Sequence, residues 1–206
     1  MRYACLIYFD PQKVFNQSPE AEAVLRDSEA RRPTRVDAAG DLILLENQNR
    51  SRWDRARIAE AQGLIERALA SRRAGPYLLQ AAIAAVHAEA PSVGETDWAQ
   101  IVALYDALLR VDPSPVVALN RAAALGMRDG PEAGLASIDK VLEQGGLDDY
   151  HLAHSARADM QRRLGFAEAA RVSYQHALEL TRQPAERRFL QARLTQLAAE
   201  LTTVRN

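Results

Sequence analysis

At 206 residues, with 48% apolar and 26% charged side chains, the chain has the makings of one well-buried globular domain, or of one domain with a small appendage. Lys and Arg total 26 against 27 Asp and Glu, a net charge of -1, which excludes a global basic field that would recruit nucleic acid. The single cysteine, Cys5, excludes an internal disulfide framework and a multi-cysteine zinc site, and no stretch approaches the roughly 18 unbroken apolar residues of a membrane span.

Residues 2–9, Arg-Tyr-Ala-Cys-Leu-Ile-Tyr-Phe, are aromatic and apolar and predict one strand, stopped by Asp10-Pro11. As a signal peptide this opening is poor, so the expected location is cytoplasmic. Ser18-Pro19-Glu20 then predicts a helix start, with Ser as N-cap and Pro in the first turn, running to about Ala30. Arg31-Arg32-Pro33 breaks the pattern. Between 31 and 50 the chain reads as an irregular linker, with a turn at 37–41 and a short apolar run at 42–45 that is either a second strand or an extended segment. A lone strand has unpaired edges, so 2–9 is expected to pair with 42–45 or with the same strand of a second chain, making a homodimer.

From Ser51 onward every segment predicts helix. Ser51-Arg52-Trp53-Asp54 resembles a capping box, and Ile58, Ala61, Ile65, Ala68 and Leu69 follow at helical spacing. Further helices are predicted near 77–89, then one capped by Thr96 or Asp97 that carries Trp98, Ile101, Val102, Tyr105, Leu108 and Leu109, then near 116–128, 131–144, 148–164, 167–182 and 184–203, punctuated by Gly75-Pro76, Pro113-Ser114-Pro115, Gly130-Pro131, Gly145-Gly146, Gly165 and Pro184. Turns this short force neighbouring helices to pack antiparallel.

Gly130 and Gly165 stand 35 residues apart, and Tyr105 and Tyr174 stand 69 apart, about two of the same period. A period near 34 with helix–turn–helix units is the signature of tetratricopeptide-type repeats. Its last unit is the best formed: Gly165 in the turn, then Ala170, Tyr174 and Ala177-Leu178, with small residues for close approach and Tyr174 to fill the gap. The expected fold is therefore mainly α: a TPR-like antiparallel helical-hairpin stack (an α-solenoid) over 51–206, a linker over 31–50, and a short N-terminal β-strand/helix appendage over 1–30.

Chemistry-bearing motifs are sparse. His151 and His154 are three apart on one helical face, a spacing that can bind metal, but no third ligand stands at a defined spacing. Asp148-Asp149 has nothing to act with, and no nucleophile elbow or phosphate-binding loop occurs. The expectation is no catalytic, metal or cofactor site. The cluster Arg50-Ser51-Arg52-Trp53-Asp54-Arg55 is the candidate partner-binding patch, because arginines around an aromatic at a helix N-terminus can hold a phosphate or an acidic peptide. The competing reading makes Trp53 an anchor for the first helix of the stack. No helix offers the exposed basic and amide side chains of a promoter-reading helix, so direct nucleic-acid contact is not expected.

The blocks Arg35–Asp41, Ser51–Asp54, Gly75–Ala88, Thr96-Asp97-Trp98 and Pro113–Val117 with Leu119–Ala122 resemble the C-terminal extension of a group of extracytoplasmic-function sigma factors, over residues 31–200. That resemblance implies a repeat-type helical domain that governs sigma activity, with sigma-factor domains or RNA polymerase as protein partners. No promoter-reading domain is expected within these 206 residues, and Asn47 and Asn49 stand where that family usually has acids. Residues 1–30 are similar to the opening strand and helix of YCII-like (DGPF-type) proteins. The alternatives are accordingly a small YCII-like enzyme or a gene-fusion remnant.

Overall fold

The computed structural model describes residues 18–70 and 75–204. Among them are nine α-helices: α1 Pro19–Arg31, α2 Arg55–Ala70, α3 Pro76–Glu89, α4 Trp98–Val111, α5 Pro115–Arg128, α6 Pro131–Glu143, α7 His151–Arg163, α8 Ala167–Leu180 and α9 Pro184–Val204. No strand occurs among the described residues. The strand read over 2–9, and the pairing expected of it, lie outside them. The 42–45 run is not a strand. Val36 and Leu42 are one-residue bridges, Leu44 is extended, and Leu45–Asn47 is a short 3-10 turn.

Contacts divide the chain into two compact units, described in turn. The first holds the described residues up to Val36 together with Ile43–Arg121. Its α1 begins as the sequence dictates: Ser18 is extended and its hydroxyl accepts the Ala21 N–H at 3.2 Å. Small residues then let α1 lie close on α2 and α3, where Ala23, Val24, Ala61, Ile65, Ala68, Leu78 and Ala81 share one core. The helix assigned from sequence to an N-terminal appendage is thus packed into a three-helix core. Arg26 bridges Glu22 on its own helix to Glu60 on α2.

The start of α2 differs from the expected capping box. Asp54, not Ser51, caps the helix, its carboxylate accepting the Arg57 N–H at 3.1 Å. Ser51 sits one turn earlier, inside the 3-10 turn Arg50–Arg52, where Asn49 accepts its N–H at 3.0 Å. A carboxylate immediately before the first helical residue wins because it faces the free N–H groups and the positive helix end. Asp97 does the same for α4, accepting the Gln100 N–H at 2.8 Å. Along α4, Ile101, Val102, Tyr105 and Leu108 form the buried stripe, and Asp106 holds Arg121 of α5 at 2.5 Å.

The second unit holds Asp37–Leu42 and the residues from Ala122 on. The 37–42 turn, read from sequence as linker, is tied to α9: Arg188 donates to the Asp41 carboxylate and, at 2.9 Å, to the Gly40 carbonyl. Helix follows helix through tight turns, α6 on α7, α7 on α8 and α8 on α9, with the α7–α8 hairpin the most extensive. Gly130 and Gly165, the two periodic glycines, both adopt left-handed backbone, φ 101° and 80°. A side chain is disfavoured there, which is why the period is written in glycine. Ala158, Ala170, Tyr174, Ala177, Leu178, Leu190 and Leu197 form the core of the last three helices, with Tyr174 fully buried among alanines.

Candidate functional site

Trp53 is the centre of the Arg-rich patch, and it points inward. It is 3% exposed, and its indole N–H donates to Thr34 Oγ1 at 2.9 Å. Thr34 is itself buried and donates to the Arg31 carbonyl at 2.9 Å, closing the C-terminal end of α1. Three guanidinium groups surround the indole: Arg50 at 4.8 Å from the ring centroid, Arg31 at 5.7 Å and Arg55 at 6.0 Å. At these distances the ring quadrupole attracts each cation.

The arginines also reach a second helix. Arg50 donates to the His87 carbonyl at 2.9 Å and to the Ala90 carbonyl, and Arg55 donates to the Ala88 carbonyl at 3.3 Å. These are the last carbonyls of α3, which lack intrahelical donors and sit at the negative end of the helix dipole. The arrangement is therefore a capping device: two arginines close α3 while their guanidinium groups lie within 4.8 and 6.0 Å of the Trp53 ring centroid. Ala30, Trp53, Ile58 and Ala88 form the apolar core beneath it.

Of the five candidate partner-binding residues, Arg50 and Trp53 are buried in this device and present nothing to solvent. Asp54 is exposed but caps α2 and pairs with Arg57 at 3.2 Å. Arg55 is exposed along its length with its head on α3. Arg52 is exposed, on the 3-10 turn. Asp54 is paired by Arg57 and Glu60 on α2 by Arg26, not by the arginines of the patch.

The sequence reading missed the rest of the cluster. Asp27 and Arg31, four apart on α1, form a buried ion pair. Desolvation raises the Asp27 carboxyl above its ordinary range, against the lowering pull of Arg31. His87 is 1% exposed and meets the edge of Trp98, ring centroids 5.2 Å apart. Burial, with the charges of Arg31 and Arg50, lowers its pKa to about 3. The i,i+4 spacing of Asp27 and Arg31 was the one local signal; nothing local marks His87 or Thr34.

The histidines of the second unit are used locally. His151 Nε2 pairs with Glu186 at 2.8 Å, and Thr181 donates to the same carboxylate at 2.5 Å. His154 Nε2 lies 2.7 Å from the Asp148 carbonyl, and its ring meets that of His176 edge-on, centroids 4.2 Å apart. No group of three or more His, Cys, Asp or Glu able to hold a metal occurs among the described residues. Among them too, no helix is long and apolar enough to cross a membrane.

Residues 12–69 match a family of unknown function, DUF6596. The match runs through α1 and α2 together, spanning the appendage, the linker and the first helix of the stack as read from sequence. An uncharacterized protein of Rhizobium meliloti (strain 1021) is 43% identical over 197 residues, 93% of this chain. The chain spans 46% of that relative's length, so more than half of the relative lies outside the matched part. No solved structure matches the chain.

Proposed function

We propose that the chain is a protein-interaction module: a TPR-like helical-repeat extension of the kind carried by extracytoplasmic-function sigma factors, acting by binding sigma domains or RNA polymerase rather than by catalysis. The observation that carries this reading is the repeat core of the second unit. There Tyr174 is enclosed by Ala158, Ala170 and Ala177 between helices joined at a left-handed Gly165. Hairpins of that design expose long helical faces whose side chains can vary without disturbing the core, which suits binding. The sequence blocks that resemble sigma-factor extensions supply the partner class. The R. meliloti relative is compatible with this, since a module attached to further domains leaves much of the longer chain unmatched. Direct promoter reading is disfavoured by the near-neutral charge.

The test is affinity capture of purified RNA polymerase, core and sigma-loaded, by the tagged chain at physiological salt. Saturable retention of one of them is the expected result. Retention of neither contradicts the reading.

A further inference from the structure

His151 and His154 stand one turn apart on α7 and face different neighbours. His151 Nε2 lies 2.8 Å from Glu186 Oε2 of α9, both side chains being mostly enclosed, 20% and 17% exposed. Against the upward push of burial, hydrogen bonds from His151 and Thr181 lower the Glu186 carboxyl below its ordinary range, so it stays ionised. A proton taken up by His151 therefore turns a hydrogen bond into an ion pair between α7 and α9.

His154 meets a like group instead. Its ring lies edge-on to that of His176 on α8, centroids 4.2 Å apart. The Asp148 carbonyl, in the turn before α7, is 2.7 Å from His154 Nε2, and the Asp148 carboxylate also bears on the ring. Arg157, on the same helix, adds a positive charge and is held by Asp139 of α6 at 2.6 Å. On α8, Glu179 lies 4.0 Å from His176 Nδ1 and is largely exposed, so solvent screens it. Desolvation lowers the His154 pKa from 6.5; the Asp148 carbonyl opposes this, and the charges of His176 and Arg157 add to it. A histidine lowered in the folded chain gives stability that is complete above pH 6.5 and declines as pH falls below it. Two protons on the pair set like charges side by side, a penalty of roughly half a pH unit in surroundings open to water.

We propose that α7 is an acid-responsive lever: as pH falls through the histidine range, its joint with α8 at His154–His176 loosens while its joint with α9 at His151–Glu186 tightens. The two responses oppose each other because the same change of charge meets a cation on one side and a carboxylate on the other. The inference goes beyond the interaction-module reading and stands or falls separately from it.

Hydrogen exchange of the full chain is read by mass spectrometry at pH 7.5 and 5.5, each rate divided by its intrinsic value at that pH. Peptides of α8 are expected to lose about threefold of their protection at the lower pH, the equivalent of half a pH unit, and peptides of α9 less. H176Q and H154Q each remove the α8 loss, and by NMR titration H176Q raises the His154 midpoint by roughly half a pH unit. H151Q keeps a donor for Glu186 but takes no charge, so the α8 response persists and the α9 loss grows to match it. Equal loss from α8 and α9 in the native chain, an α8 loss that survives both H176Q and H154Q, or a His154 midpoint that H176Q leaves unmoved overturns the inference.

Discussion

Trp53 combines three jobs in one side chain: it fills the core beneath the α1–α3 junction, donates one hydrogen bond to Thr34, and presents its faces to arginines that close α3. Trp53→Phe keeps most of the apolar volume but removes the donor and weakens the cation contact, so a loss of about 1–3 kcal/mol is expected in urea denaturation. An unchanged midpoint would show that the indole is only filler. His87 offers a pH test. Its pKa falls from 6.5 to about 3 on folding, so the unfolded chain takes up a proton that the folded chain refuses. Stability from this group is complete above pH 6.5 and declines by about 1.4 kcal/mol per pH unit as pH drops towards 3. Asp27 works with the opposite sign, because its raised folded-state pKa lets the folded form hold a proton more tightly as pH falls. Comparing the native chain with His87→Gln between pH 7 and 4 isolates the histidine: the variant's stability is expected to fall less steeply. Parallel profiles would contradict the burial of a neutral imidazole. Of this, the sequence offered the Arg-rich patch, Trp53 as a helix anchor in the competing reading, and the Asp27–Arg31 spacing, but neither the capped helix nor the buried histidine. Clustered arginines around a tryptophan look alike whether they face solvent or cap a distant helix, and the deciding partners, Thr34, His87 and Ala90, lie 16 or more residues from Arg50 in the chain.

Helix positions were far more legible, because caps, prolines and left-handed glycines act locally. Ser18, Asp97 and the Pro residues opening α3, α5, α6 and α9 mark starts that depend on one or two neighbours. The failures have equally local causes. Ser51 competed with Asp54 for the cap and lost, and the 42–45 run was too short for a period to show. Packing between helices is visible only where composition is extreme. Gly126 on α5 and Gly134 on α6 approach so closely that a Cβ on Gly134 would fall 2.7 Å from the Gly126 Cα, while one on Gly126 first meets the mobile end of Met160. Gly134→Ala is therefore expected to cost about 1–3 kcal/mol, and Gly126→Ala less, because a methionine tip yields more readily than backbone. Equal effects in paired denaturation curves would contradict that crossing. Tyr174→Ala empties a fully enclosed site and is expected to cost about 3–5 kcal/mol.

At the scale of the whole chain, the mainly helical character follows from the unbroken run of helical segments after Ser51, whereas the partition into units does not. Sequence places boundaries near 30 and 50, where the helical pattern lapses; contacts place α1 with α2 and α3, and the 37–42 turn with α9. The reason is that Ala21, Ala23, Val24 and Ala30 make α1 a short, small-residue helix that cannot bury its face alone. Arg188 reaches the turn across 147 residues of chain, a separation no local pattern reports. Hydrogen exchange of the intact chain, read by mass spectrometry on peptides covering each helix, tests this account most directly. All nine helices are expected to be protected, with α1 opening together with α2 and α3 and with α7 and α8 among the slowest. Rapid exchange of α1 while α2 and α3 stay protected would contradict it.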